Sequence, residues 1–203
     1  MAPVETTRVL PPVPGLTGAR LRLYEAAMER FGTRGYHAVS VRDLMASLGQ
    51  NSGALYAHVP SKQHLLYELV RIGYEEHRNR LKEALLDSGK APAEQIRALS
   101  LAHDRVHLAY PALARVISRE SRALSEEQLS TLIRVRAESE AMFLDVIERG
   151  VRLGEFVVQS PRLAVLAIAA MGVRAAEWWA PDSPESASEV ADTFADYAVK
   201  LLA

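Results

Sequence analysis

From residue 20 onward, apolar positions recur every three to four residues and no alternating stretch appears, so the pattern predicts helices throughout and no strands. Leu23, Tyr24, Ala27, Met28 and Phe31 share one face of a helix over 20–34, which Gly35 stops. Ser40 is placed to cap a short helix over 41–48, with Val41, Leu44 and Leu48 inward and Gly49 at its end. Asn51 is placed to cap a second short helix over 52–58, and Ser61 a long one over 62–87. Ala91-Pro92 opens a helix to about 108, with Ile96, Leu99, His103, Val106 and Tyr110 in one stripe. Pro111 suits the first position of the next, to about 122. Ser125 and Gln128 form a capping box at the head of 126–153. Ser160-Pro161 starts a helix to 179 that is apolar on nearly all sides. The last helix, 185–202, carries Val190, Phe194, Tyr197 and Leu201 on one side. The expectation is an all-α chain of nine helices. Residues 1–17, with four prolines and no apolar period, are expected to form a mobile arm.

Composition adds exclusions. The chain has 203 residues and no cysteine, which removes disulfides, thiolate metal sites and a cysteine nucleophile. The longest apolar run, 163–173, falls short of the roughly 20 residues of a membrane span. No apolar core follows the N-terminal charges, so neither a signal peptide nor a membrane partner is expected, and a cytoplasmic location is. Net charge is −1, but residues 1–64 carry +3 and the remainder −4. That asymmetry suits a small DNA-reading head on an acidic body.

The informative stretch is 20–67. Two helices of about seven residues joined by Leu48-Gly49-Gln50-Asn51 match the helix-turn-helix pattern. A helix that short needs a scaffold, which the flanking helices supply. The major groove, about 12 Å wide, admits one helix while the preceding one braces it.

In this stretch the sequence resembles the TetR family of transcriptional regulators. The resemblance rests on Leu23-Tyr24-Glu25-Ala26-Ala27, Phe31, Gly35-Tyr36, Ser40-Val41-Arg42-Asp43-Leu44, Gly49, Gly53-Ala54-Leu55-Tyr56-Ala57-His58, Ser61-Lys62 and Leu65-Leu66. It implies a head over 18–66 and a ligand-binding and dimerisation body over 67–203. It places Arg42 at a phosphate, and Ser52, Gly53, Ala54 and Ala57 at the groove. Tyr56 and His58 would reach the DNA backbone, and Lys62 a phosphate. Two departures stand at the turn. Gln50 replaces a core-facing aliphatic residue and is free to reach phosphate or base, and Asn51 replaces Ser or Thr as the cap; both stand among the expected DNA residues. A third is Val59, where the family usually has an aromatic.

The body is expected to hold a bulky hydrophobic effector among Leu99, His103, Val106, Met142, Phe143, Val146, Met171 and Trp178. Glu177-Trp178-Trp179-Ala180-Pro181 resembles a branch of the family that senses coenzyme A thioesters of fatty acids or steroid fragments. A homodimer is expected through Leu166, Val173, Val190, Phe194, Tyr197 and Leu201, because one small head buries too little for specific affinity. The function implied is a repressor released from double-stranded operator DNA by its effector, with no catalytic residue and no cofactor. Two rivals come from other classes. One is a helical enzyme using His103 and His107 as metal ligands or base; those residues stand four apart but lack the partner Glu of a zinc protease motif. No metal site is therefore assigned, and His103 is read as a buried, hydrogen-bonded or pocket-lining residue. The other is a structural dimer without DNA binding, against which Tyr56, His58 and Lys62 argue.

Overall fold

The computed structural model describes residues 9–203 and is all-helical, with no strand among the described residues. Eight α-helices run α1 Gly18–Arg34, α2 Val41–Ala46, α3 Lys62–Asp87, α4 Pro92–Ala109, α5 Pro111–Glu120, α6 Glu126–Leu153, α7 Pro161–Trp178 and α8 Ala187–Leu202. Ser52–Ala57 between α2 and α3 is a 3₁₀ helix, the tighter form usual for such short pieces. These nine are the helices the periodicity predicts, and a 3₁₀ turn at Ser121–Ala123 extends α5. The starts follow from side-chain caps. Ser40, Asn51, Ser61, Ser125, Ser160 and Ser186 each accept a bond from a backbone N–H of the first turn.

One core joins α1, α2, the 3₁₀ helix and the first half of α3 through Leu23, Phe31, Leu44, Leu55, Leu65 and Leu69. It also includes Leu113 and Val116 of α5 and Leu132 of α6, so the head is packed on the body. The boundary expected at residue 66 falls inside a single 26-residue helix, α3. A second core, with Leu81, Ile96, Leu99, Phe143, Ile147 and Ile168, fills the body. A third, with Leu108, Ala175, Trp179 and Val190, closes the end where α7 meets α8. α4 runs through the middle, against α3, α6, α7 and α8.

The N-terminal arm needs a correction. Residues 1–8 lie outside the described residues, but Leu10 and Leu16 are buried in the head core and Val13 packs against it. Three apolar side chains spaced by three along a Pro-rich segment gain more from burial than the arm loses by ordering.

Candidate DNA interface and effector cavity

The head's outer face is built by two turns. After α2 the chain reverses at Gly49, whose φ of 68° is the left-handed region that favours glycine. There Gln50 N–H donates to Met45 O at 3.0 Å, closing the turn. Asn51 Oδ1 accepts from Ala54 N–H at 3.2 Å and starts the 3₁₀ helix. Leu55 and Val59 are buried, and the rest of the short helix is thereby turned outward. Val59 thus fills the core position where an aromatic was expected.

Seven of the ten expected DNA residues are exposed together: Arg42, Gln50, Asn51, Ser52, Gly53, Tyr56 and Ala57. Tyr56 is 62% exposed, unusual for an aromatic side chain with a core alongside. Ala54 and His58 are half-buried, and Ala54 packs on the head core, so its role is partly packing.

Lys62 is the main correction in this set. Its Nζ donates to Tyr36 O at 2.9 Å and Val39 O at 2.7 Å, and lies 4.0 Å from the centre of the Tyr36 ring. Burial lowers its pKa. In the loop between α1 and α2, Tyr36 O accepts only a turn bond from Val39 N–H at 3.3 Å, and an ammonium carries donors enough to reach both carbonyls. Lys62 therefore clasps the loop to α3.

In the body, a cavity of about 450 Å³ opens between α3, α4, α5, α6 and α7. Tyr74 and His77 come from α3, His103, Val106 and His107 from α4, and Leu113 and Ile117 from α5. Arg136 and Phe143 come from α6, and Val165 and Ala169 from α7; Arg122 and Ser121 stand in the turn before α6. Of the eight expected lining residues, His103, Val106 and Phe143 do line it. Leu99 and Val146 are instead buried in the second core, with Met142 and Met171 packed against it. Trp178 is half-exposed at the end of α7, while Trp179 is buried with its indole N–H on Glu185 O at 3.0 Å. A single helical stripe covers both core and cavity along its length, and spacing cannot divide the two.

His77, Tyr74, Leu113, Ile117 and Arg136 escaped sequence reasoning. The available signal was the spacing of Gly73, Tyr74, His77 and Leu81 on one face of α3, with a glycine where a side chain would strike Ile117 of α5.

The cavity floor is polar, with His103 and Asp104 buried and His77 and His107 half-buried. His103 Nε2 meets Ala169 O at 3.0 Å, His77 Nε2 meets His103 Nδ1 at 2.8 Å, and His107 Nδ1 meets His103 O at 2.8 Å. Burial, and repulsion among the three rings, hold His77 and His103 far below the usual imidazole range, His77 at about 3; burial lowers His107 as well. Beside them Asp104 is buried with no hydrogen-bond partner on either carboxylate oxygen. Burial pushes its pKa up to about 8. Room for it comes from Gly172 of α7, where a Cβ would stand 2.6 Å from Asp104 Oδ1 and 2.5 Å from the His103 ring.

The expected dimer face is partly revised. Leu166 and Val173 are each 39% exposed and also border the cavity. Tyr197 and Leu201 are half-exposed, and Phe194 is half-buried. Val190 is buried in the third core, because α8 turns that side toward Trp179 and Leu108. Leu163 and Trp178 join the exposed apolar residues of α7. No described helix is long and apolar enough to cross a membrane.

Comparison with known proteins agrees with this geometry. Residues 23–69 match the family model of bacterial regulatory proteins of the tetR family, and residues 89–202 match the C-terminal domain of tetracyclin repressor-like proteins. The HTH-type transcriptional repressor KstR2 of Mycolicibacterium smegmatis is 28% identical over 181 residues, 86% of each chain. The solved structure of the ketosteroid transcriptional regulator KstR2 of Mycobacterium tuberculosis superposes with a TM-score of 0.85 at 25% identity, covering 96% of this chain and 98% of that one. AibR, solved with isovaleryl coenzyme A and operator DNA, shares the fold at 18% identity with a TM-score of 0.76, covering 89% of this chain and 95% of that one. These relatives are regulators, and none of this supports the enzyme reading of His103 and His107.

Proposed function

Since the chain belongs to the TetR family and is a ligand-responsive DNA-binding repressor, we propose that its effector is a coenzyme A thioester with a bulky apolar acyl group. The observation that carries this reading is the cavity. Its volume of about 450 Å³ lies within the range of sites for small ligands, roughly 300–1,000 Å³. Phe143, Val165, Leu113 and Ile117 offer apolar surface for the acyl group; Arg122 and Arg136 also line the cavity and would meet the phosphates of an excluded nucleotide, Arg136 exchanging its bond to Glu140 for one to phosphate. Guanidinium groups suit phosphate through their paired donors. KstR2 of Mycobacterium tuberculosis is a ketosteroid transcriptional regulator, and AibR, of the same fold, holds an acyl coenzyme A; both favour this class.

The working unit is a homodimer through the exposed apolar residues of α7 and α8, with one head in each half-site. The acyl group bears on α3 and α5 at once. Leu113 lines the cavity and also belongs to the head core. α3 runs unbroken from Lys62 at the head to His77 at the cavity, about 22 Å at the helical rise. A ligand favouring one setting of these helices changes the head spacing, to the extent that it binds that setting better.

Thermal shift tests the effector class. At a concentration a hundred times Kd, a ligand adds about 2.7 kcal/mol, several degrees in Tm for a chain of this size. Long-chain and steroid-derived thioesters should give that shift and release operator DNA in a gel assay. A shift with the free acids alone, or with no compound, would overturn the thioester reading.

A further inference from the structure

His103 and His107 lack the Glu of a zinc protease motif, and the sequence alone assigns them no metal site. The fold brings a third ligand from another helix. His77 of α3 faces both, and one ring nitrogen from each of the three residues lies within 4.8 Å of the others. From this juxtaposition we propose that His77, His103 and His107 bind a divalent transition-metal ion of the zinc class, with the fourth coordination position open to the effector cavity.

The tautomers carry the argument. A backbone carbonyl only accepts, so the His103 nitrogen facing Ala169 O, Nε2, holds a hydrogen. The His107 nitrogen facing His103 O, Nδ1, likewise holds one. The lone pairs of His103 Nδ1 and His107 Nε2 are therefore fixed, each by a hydrogen bond at the opposite ring nitrogen. That outer-shell arrangement is how proteins orient metal-ligating imidazoles. In the metal-free chain His77 Nε2–H donates to His103 Nδ1. On metal binding His77 takes its other tautomer, with the hydrogen on Nδ1, and Nε2 turns its lone pair to the ion. No net proton is released. Burial disfavours the charged form of all three rings, which favours the neutral imidazoles that metal binding needs.

The distances permit it. Zinc–nitrogen bonds of about 2.0–2.1 Å in a tetrahedron set nitrogen pairs roughly 3.3 Å apart. The 2.8 Å between His77 Nε2 and His103 Nδ1 must open by about 0.5 Å, a small ring rotation. Three imidazoles suit zinc, copper or nickel and not the hard magnesium or calcium ions. Because all three rings line the cavity, the fourth position faces whatever occupies it, and a carbonyl or carboxylate oxygen there would complete the shell. The ion would also tie α3, which carries the head, to α4.

The test uses the full chain, stripped with chelator and titrated with Co²⁺, then Zn²⁺. The expected result is one equivalent of Co²⁺ per chain, with the intense visible absorption of four-coordinate cobalt, displaced by Zn²⁺. His77→Gln and His107→Gln should each weaken binding by about 100-fold or more, beyond the 10–100-fold of an outer-shell loss. Both should lose the spectrum while their metal-free circular dichroism and melting stay near wild type. His37→Gln, on the exposed surface, should change nothing. The weak spectrum of six-coordinate cobalt, or an affinity indifferent to His77→Gln, would overturn the site. Thioester binding measured in chelator stands apart from this result, so either proposal fails without the other.

Discussion

Asp104→Asn isolates a single buried carboxyl and should be readable as a change in how stability depends on pH. The side chain is 1% exposed, with neither carboxylate oxygen partnered. Burial raises its pKa from 3.8 to about 8. Below pH 3.8 both folded and unfolded chains hold the proton and the group has no effect. Between 3.8 and about 8 the unfolded chain has released it and the folded chain keeps it. Folding then takes up a proton, and stability falls by about 1.4 kcal/mol per pH unit as pH rises. The three cavity histidines work in the opposite sense. Their folded pKa values lie below 6.5, so their contribution is complete above 6.5 and is lost as pH falls. The window from 6.5 to 8 therefore belongs to Asp104. Across it the wild type should lose about 2 kcal/mol relative to Asp104→Asn, which keeps the shape and cannot ionise. Urea unfolding at the two pH values, at one fixed protein concentration, gives the difference directly; titrations elsewhere cancel between the variants. Parallel behaviour of the two proteins would show that Asp104 is ionised in the fold, and would refute the account of its burial.

What the sequence showed clearly was whatever depends on neighbours along the chain. Nine helices and five of the six side-chain caps follow from a 3.6-residue period and from Ser or Asn placed before it; the sixth, Ser186, fell inside the helix expected over 185–202. The outward set of the head came from the family resemblance, which put Ser52, Gly53, Tyr56 and Ala57 at the DNA; the burial of Leu55 and Val59 is what turns them out. What failed is set by long-range packing. The family resemblance and its charge put Lys62 at a phosphate; its actual partners, Tyr36 and Val39, are brought near by the path of the loop between α1 and α2. Val190 shares a side of α8 with Tyr197, yet Trp179 arrives from the end of α7 to cover it. Leu99 and His103 lie one turn apart on a single stripe, and only the arrival of α3 and α5 decides that one is core and the other cavity. His77 lies 26 residues before His103, so no local pattern could join them.

The remaining predictions address the head, the dimer and the clasp. Tyr56→Phe removes one exposed donor to phosphate and should weaken operator binding about tenfold by gel shift, with Tm unchanged; binding at wild-type strength would remove Tyr56 from the interface. Tyr197→Glu and Leu201→Glu should yield folded monomers by sedimentation, since an unpaired charge in a dry interface costs several kcal/mol, whereas Val190→Glu should unfold the chain. Persistence of the dimer in both surface variants would place the interface elsewhere. Lys62→Met keeps the apolar stem and removes the ammonium that Tyr36 O and Val39 O share. Val39 O left without this donor costs about 1 kcal/mol or more, Tyr36 O keeps the Val39 N–H at 3.3 Å, and the cation over the Tyr36 ring adds to the loss, so stability should drop by about 1–2 kcal/mol in urea. An ammonium already holding two carbonyls contributes little to counterion release. The slope of log affinity against log salt should therefore stay as in wild type once the folded fraction is corrected for. A phosphate contact makes the opposite forecast: wild-type stability, and a slope flatter by about one unit per head. Observing that second pattern would refute the clasp and return Lys62 to the DNA.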